Sequence, residues 1–206
     1  MLKAIINFLR KIFFKKNKIK IGFFGSTNVG KTTLANRISM DLTGQPVGNV
    51  SPIPHETRTV QIKNSVELKS GSYSLVMNIM DMPGIAIKVD YRDFMEYGLS
   101  KKEAQQRAKE ATKGIIEAIK MLDEIDAALI VMDSTEEPYN QVNVTLIGNL
   151  EAKKIPFILV ANKIDLPDAN PQKIKETFPN YPVVEVSAAT GENIEMLYDE
   201  LGMQFL

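Results

Sequence analysis

A chain of 206 residues, 44% of them hydrophobic, is sized for one domain with a substantial core, and two large domains do not fit. It has no cysteine and one histidine, which excludes disulfides, thiolate metal sites, cysteine nucleophiles and cysteine lipidation and leaves little for a zinc site. Its 25 basic and 25 acidic residues cancel only on average: residues 1–20 hold seven Lys or Arg and no acid, so residues 21–206 carry a balance of −7.

The basic head comes first along the chain. At helical spacing Leu2, Ile5, Ile6, Leu9, Ile12 and Phe13 fall within about 120° of arc, while Lys3, Asn7, Arg10, Lys11 and Lys15 lie largely opposite. The pattern predicts a basic amphipathic helix over 1–18, followed by one domain over 19–206. Polar residues break every apolar run well short of the roughly 20 needed to span a bilayer. Asn7, Arg10 and Lys11 also spoil a signal peptide, and Leu2 stands where myristoylation needs glycine.

From Ile19 onward short apolar runs alternate with helical stretches, which predicts a mainly parallel sheet with helices on both faces. The expected strands are Ile19–Phe24, an antiparallel hairpin of Val60–Leu68 and Tyr73–Asp81 around Lys69-Ser70-Gly71-Ser72, then Ala127–Asp133, Pro156–Asn162 and Val183–Ser187. A helix is expected from Thr33 to Ile38, and others over Lys101–Leu122, Gln141–Lys154, Pro171–Thr177 and Asn193–Gly202. The Ser100-Lys101-Lys102-Glu103 opening of the second fits a capping box.

Gly25-Ser26-Thr27-Asn28-Val29-Gly30-Lys31-Thr32, running into Thr33, matches G-x-x-x-x-G-K-[ST] between a strand and a helix. Its glycines let backbone N–H groups wrap phosphates. The helix N-terminus adds positive charge, Lys31 can bridge β- and γ-phosphates, and Thr32 can ligate Mg²⁺. Asp81 closes an apolar strand and opens Asp81-Met82-Pro83-Gly84, where the carboxylate can hold Mg²⁺ through water and Gly84 can offer an N–H to a γ-phosphate. Asn162-Lys163-Ile164-Asp165 closes another strand, and Asp165 can accept the N1–H and 2-amino hydrogens of guanine, a donor pair adenine lacks. Ser187, Ala188 and Ala189, after a further strand, can offer backbone N–H groups to the base O6.

Four motifs in this order resemble the P-loop GTPase superfamily over about residues 19–202, and most closely the Era-, MnmE- and FeoB-like branch of translation-factor-related GTPases. The resemblance implies a six-stranded, mostly parallel sheet with one antiparallel strand, and GTP hydrolysis to GDP and phosphate with low intrinsic turnover. Two local matches point to the branch. Asn28-Val29-Gly30-Lys31 is similar to its N-V-G-K, in which the Asn helps hold a monovalent cation such as K⁺ beside the phosphates; a plain turn residue is the other reading of Asn28. Ile85 stands where Ras-like members place a catalytic glutamine, which implies that backbone groups or another residue position the attacking water.

The resemblance also marks two switch segments, 44–59 and 84–124, through which an effector would read the nucleotide. His55-Glu56-Thr57-Arg58-Thr59 is similar to the first switch and points to Thr57 as the residue completing the Mg²⁺ shell, with Thr59 as the fallback and His55 as a weaker candidate near the water. The functional expectation is a cytoplasmic switch, peripheral at an anionic membrane through residues 1–18, with a nucleotide-dependent dimer as one assembly. RNA or ribosome binding is the weaker alternative, because only one helix fits after Ala189 where Era carries an RNA-binding KH domain. In a third reading, residues 1–18 dock on a protein partner or on their own domain.

Overall fold

The structure, a computed structural model, describes residues 18–47, 60–70, 73–82, 92, 95, 98–106, 109 and 120–205. Six strands form one sheet: β1 Ile19–Phe24, β2 Gln61–Ser70, β3 Tyr73–Asp81, β4 Ala127–Asp133, β5 Phe157–Asn162 and β6 Val183–Glu185. Among the described residues the α-helices with both ends defined are α1 Lys31–Thr43, α2 Gln141–Ala152, α3 Pro171–Thr177 and α4 Ile194–Phe205. The strand order is β2-β3-β1-β4-β5-β6, with β2 antiparallel to β3 and every other neighbouring pair parallel.

Alternation along the central strands sends side chains to two apolar layers. Ile21, Phe23, Leu129, Val131, Ile158 and Val160 pack with Leu34 and Ile38 of α1 and Leu197 and Leu201 of α4. Phe24, Ala128, Ile130, Met132, Leu159 and Ala161 pack on the other face with Val142, Leu146 and Leu150 of α2 and Ile174 of α3. Both faces are thus covered, which is why β4 is buried along its whole length.

Several boundaries differ from the sequence expectation for local reasons. The helix after the phosphate loop is longer than Thr33–Ile38: it starts at Lys31 and ends where Gly44, in the left-handed region at φ 70°, donates its N–H to Met40 O. Ser70 pairs with Tyr73, so the hairpin connection is two residues rather than four, and β2 carries a register shift between Lys63 and Val66 with Ser65 at φ 61°. The strand at Val183 stops at Glu185 rather than Ser187, because Ser187 turns into a loop closed by the Gly191 N–H to its carbonyl at 2.8 Å. The last helix runs past Gly202 to Phe205, since Leu201 and Phe205 are both buried.

The Ser100 capping box forms, with Ser100 N–H donating to Glu103 Oε2 at 2.9 Å, and residues 101–106 are helical. At the far end of the helix expected over Lys101–Leu122, Met121–Glu124 is a 3₁₀ turn that buries Leu122 before β4. Of the basic head, residues 1–17 lie outside the described residues. Among the described residues no helix is long and apolar enough to cross a membrane.

Candidate nucleotide-binding site

β1, β3, β4 and β5 all end on one edge of the sheet, and the motif loops leave from there. The phosphate loop follows β1 and feeds α1, whose N-cap is Gly30. Two of its positions accept only glycine. At Gly25, φ is 144° and a Cβ would stand 2.2 Å from the Val131 carbonyl oxygen; at Gly30, φ is 94° and a Cβ would meet Asn162 Nδ2 at 2.3 Å. Asn28 is exposed and left-handed at φ 60°, a conformation that asparagine tolerates better than most residues.

Lys31 is buried, and its ammonium donates to the Ser26 carbonyl. Burial lowers its pKa to about 8, against the opposing charge of Asp81. Thr32 Oγ1 donates to Asp81 Oδ2 at 2.6 Å, so the hydroxyl and the fully buried carboxylate stand together at the end of β3. These are hard oxygen donors of the kind Mg²⁺ takes, in the small number expected when phosphates and water complete the shell. Thr32 and Asp81 are therefore the residues that fit the metal, whose chemistry would be to offset charge on the β- and γ-phosphates. Thr27, Val29 and Thr33 complete the loop, with Val29 in the core and Thr27 and Thr33 half-buried.

Asn162 ties the guanine loops to the phosphate loop. Its Nδ2 donates to Val29 O at 2.8 Å, and its Oδ1 accepts the Ala188 N–H at 2.9 Å. Lys163 is left-handed at φ 66° and its ammonium pairs with Asp133 at the end of β4. Burial works to raise the Asp133 carboxyl, but hydrogen bonds from Lys163 and Thr135 outweigh it and hold the pKa below the ordinary aspartate value. Asp165 stands exposed on the following turn. Ser187 commits its N–H to Glu192 O at 3.1 Å and Ala188 commits its own to Asn162, which leaves the exposed Ala189 best placed to meet a base.

Two supporting residues escape sequence reasoning. Arg37, in α1, donates from Nε to Ala188 O at 3.2 Å and from its guanidinium to Ala189 O at 2.7 Å, so the phosphate-loop helix braces the base loop. Asp133 anchors Lys163; an acid at a strand end on the site's edge is the only local signal it has. Thr57, Thr59, His55, Gly84 and Ile85 lie outside the described residues.

Residues 20–163 match the family model described as 50S ribosome-binding GTPase. The chain belongs to this GTPase family. Relatives include the tRNA modification GTPase MnmE of Syntrophobacter fumaroxidans, 29% identical over 88% of this chain and 33% of that protein, and GTPase Era of Rippkaea orientalis, 30% identical over 88% of this chain and 51% of that protein. The chain thus spans about a third to a half of the length of the curated relatives it matches. Among solved structures, Era of Aquifex aeolicus bound to GDP·AlF4− aligns over 91% of this chain and 56% of that one, with TM-score 0.68 and 22% identity. The G domain of the T. maritima iron transporter FeoB aligns over 92% of this chain and 99% of that one, with TM-score 0.54 and 24% identity. These structures share the P-loop GTPase fold with this member of the family.

Proposed function

We propose that this domain binds GTP with Mg²⁺, hydrolyses it to GDP and phosphate, and uses the exchange as a switch. The observation that carries the reading is the buried Lys31 ammonium, held at the phosphate loop beside the Thr32–Asp81 pair. A desolvated cation next to a helix N-terminus is costly without an anion and well matched to a polyphosphate. Thr57 completes the metal shell and the Gly84 N–H meets the γ-phosphate, both on grounds of resemblance. Hydrolysis by the purified protein tests the whole: wild type turns over GTP slowly, Lys31→Ala neither binds nor turns over, and Thr57→Ala keeps GDP affinity while losing turnover. Turnover by Lys31→Ala equal to wild type sinks the proposal.

The Asn28 position supports a K⁺ role beside the phosphates, with faster hydrolysis in KCl than in NaCl; equal rates end it. The seven charges of residues 1–20 support reversible attachment of the head to an anionic membrane, since each surface Lys or Arg contributes on the order of 1 kcal/mol. Flotation with phosphatidylserine vesicles, compared for the full chain and one starting at Ile19, decides that point. An effector would read segments 44–59 and 84–124, and a nucleotide-dependent dimer would show as a GTP-specific shift in sedimentation. The relatives favour a second reading: Era has been solved with MgGDPNP and nucleotides 1506–1542 of 16S ribosomal RNA. Retention of this protein on ribosomal RNA at physiological salt, lost on truncation to Ile19, would replace the membrane reading with that one.

A further inference from the structure

The loop after β6 commits almost all of its backbone donors within the protein. The Ser187 N–H donates to Glu192 O at 3.1 Å, Ala188 N–H to Asn162 Oδ1 at 2.9 Å, Thr190 N–H to Ser187 Oγ at 3.1 Å and Gly191 N–H to Ser187 O at 2.8 Å. The Ala189 N–H meets no acceptor among the described residues, and Ala189 is exposed.

One side chain from the phosphate-loop helix sets the direction in which that N–H faces. Arg37 of α1 is half-buried, and it donates from Nε to Ala188 O at 3.2 Å and from Nη2 to Ala189 O at 2.7 Å. These carbonyls belong to the two peptide units on either side of the Ala189 Cα. In a trans peptide the C=O and N–H point in opposite directions, so a guanidinium on Ala188 O turns the Ala189 N–H away from α1. A charge-assisted bond on that carbonyl also polarises the shared peptide and strengthens its N–H as a donor. The guanidinium itself has a fixed base. One turn further along α1, Asp41 Oδ2 accepts from the Tyr198 hydroxyl at 2.9 Å, which pins the same face of α1 to α4.

Resting on the reading of this site as a guanine pocket, we propose that Arg37 is a positioning residue that sets selectivity at position 6 of the purine. It holds the peptide between Ala188 and Ala189 with the N–H toward the base, where it meets a 6-oxo oxygen. The reversed peptide would present the Ala188 carbonyl instead, an acceptor suited to the 6-amino group of adenine. Holding the first orientation therefore admits 6-oxopurine nucleotides and sets a 6-amino group against a donor, a mismatch that costs more than a missing contact. This selectivity is separate from that of Asp165, which would answer the N1–H and 2-amino hydrogens.

Equilibrium binding by the full chain tests the assignment with GDP, with IDP, which lacks only the 2-amino group, and with 6-thio-GDP. The thio analogue keeps the N1–H and 2-amino hydrogens but offers a weak sulfur acceptor at position 6. Arg37→Met, which keeps the apolar stem, should weaken GDP and IDP alike by about tenfold and 6-thio-GDP by less than about twofold, so that the wild-type preference for oxygen over sulfur collapses. Arg37→Lys, a point charge that reaches one carbonyl at a time, should retain an intermediate preference. Asp165→Asn should weaken GDP and leave the oxygen-to-sulfur ratio in place. An equal loss for all three nucleotides, or a wild-type oxygen-to-sulfur ratio in Arg37→Met, would overturn the proposal. If Arg37→Met does not fold, a wild-type ratio in Arg37→Lys overturns it in the same way. Wild-type protein that binds ADP as tightly as GDP would instead overturn the guanine reading on which the proposal rests.

Discussion

At the phosphate loop the charged groups are buried and answer one another, Lys31 on the Ser26 carbonyl and Thr32 on Asp81. At the guanine loops the group expected to read the base, Asp165, is exposed, and the buried parts are its supports, Asn162 and Asp133, with Arg37 bracing the neighbouring carbonyls. The contrast follows from what each half must do. Phosphates and a metal carry full charge, so the residues that meet them need interim partners that the ligand displaces. A neutral base offers directional hydrogen bonds, so its site gains most from being held rigid beforehand. On the proposed function, binding would exchange partners at one half and fill a preformed socket at the other.

The most severe test of this contrast is Lys31→Met. Losing a buried charge partner costs 2–5 kcal/mol, so GTP and GDP affinities should fall roughly 10²–10³-fold. The nucleotide-free protein, relieved of a desolvated ammonium, should melt higher, by about 2–4 °C per kcal/mol gained. A variant that loses affinity without gaining thermal stability would show that Lys31 is not under strain when nucleotide is absent.

Asp165→Asn probes the other half alone. Replacing an acceptor by a donor should weaken guanine nucleotides by about 10²-fold and improve xanthine nucleotides, whose O2 can accept from the new amide. Because Asp165 is exposed, the urea midpoint of the nucleotide-free protein should hold to within about 0.5 kcal/mol of wild-type stability.

Asn162→Ala cuts the tie between the halves. It leaves the Val29 carbonyl and the Ala188 N–H buried and unmatched, so stability should drop by about 1–3 kcal/mol and nucleotide affinity with it. Affinity loss without stability loss would mean that the tie orders only the bound state.

The mildest test is pH. Lys31 holds its proton less firmly in the empty fold, with a pKa of about 8, than in the unfolded chain at 10.5. Between those values the unfolded state binds more protons, so the stability of the empty protein rises with pH across that window. GTP holds Lys31 charged, so its affinity should be level below about pH 8 and fall by up to tenfold per unit above it. Lys31→Met should flatten this Lys31-linked part of both profiles.

Strand, phosphate loop, strand-ending Asp81 and strand-ending Asn162 are legible in order because each is a local motif whose backbone angles and apolar run depend on adjacent residues. The hairpin, the capping box at Ser100 and the start of α3 are local in the same way. What only the folded chain decides is which loops meet. Asn162 reaches Val29 across 133 residues and Arg37 reaches Ala188 across 151, and neither contact is implied by any neighbouring residue. They exist because parallel crossovers place β1 between β3 and β4 and set α1 and α4 on the same face, an arrangement chosen by burial on both sides of the sheet. The charge division between head and body is plain in the composition; that Lys18, where the head meets the domain, reaches Ser65 of β2 across 47 residues is decided only by the tertiary structure.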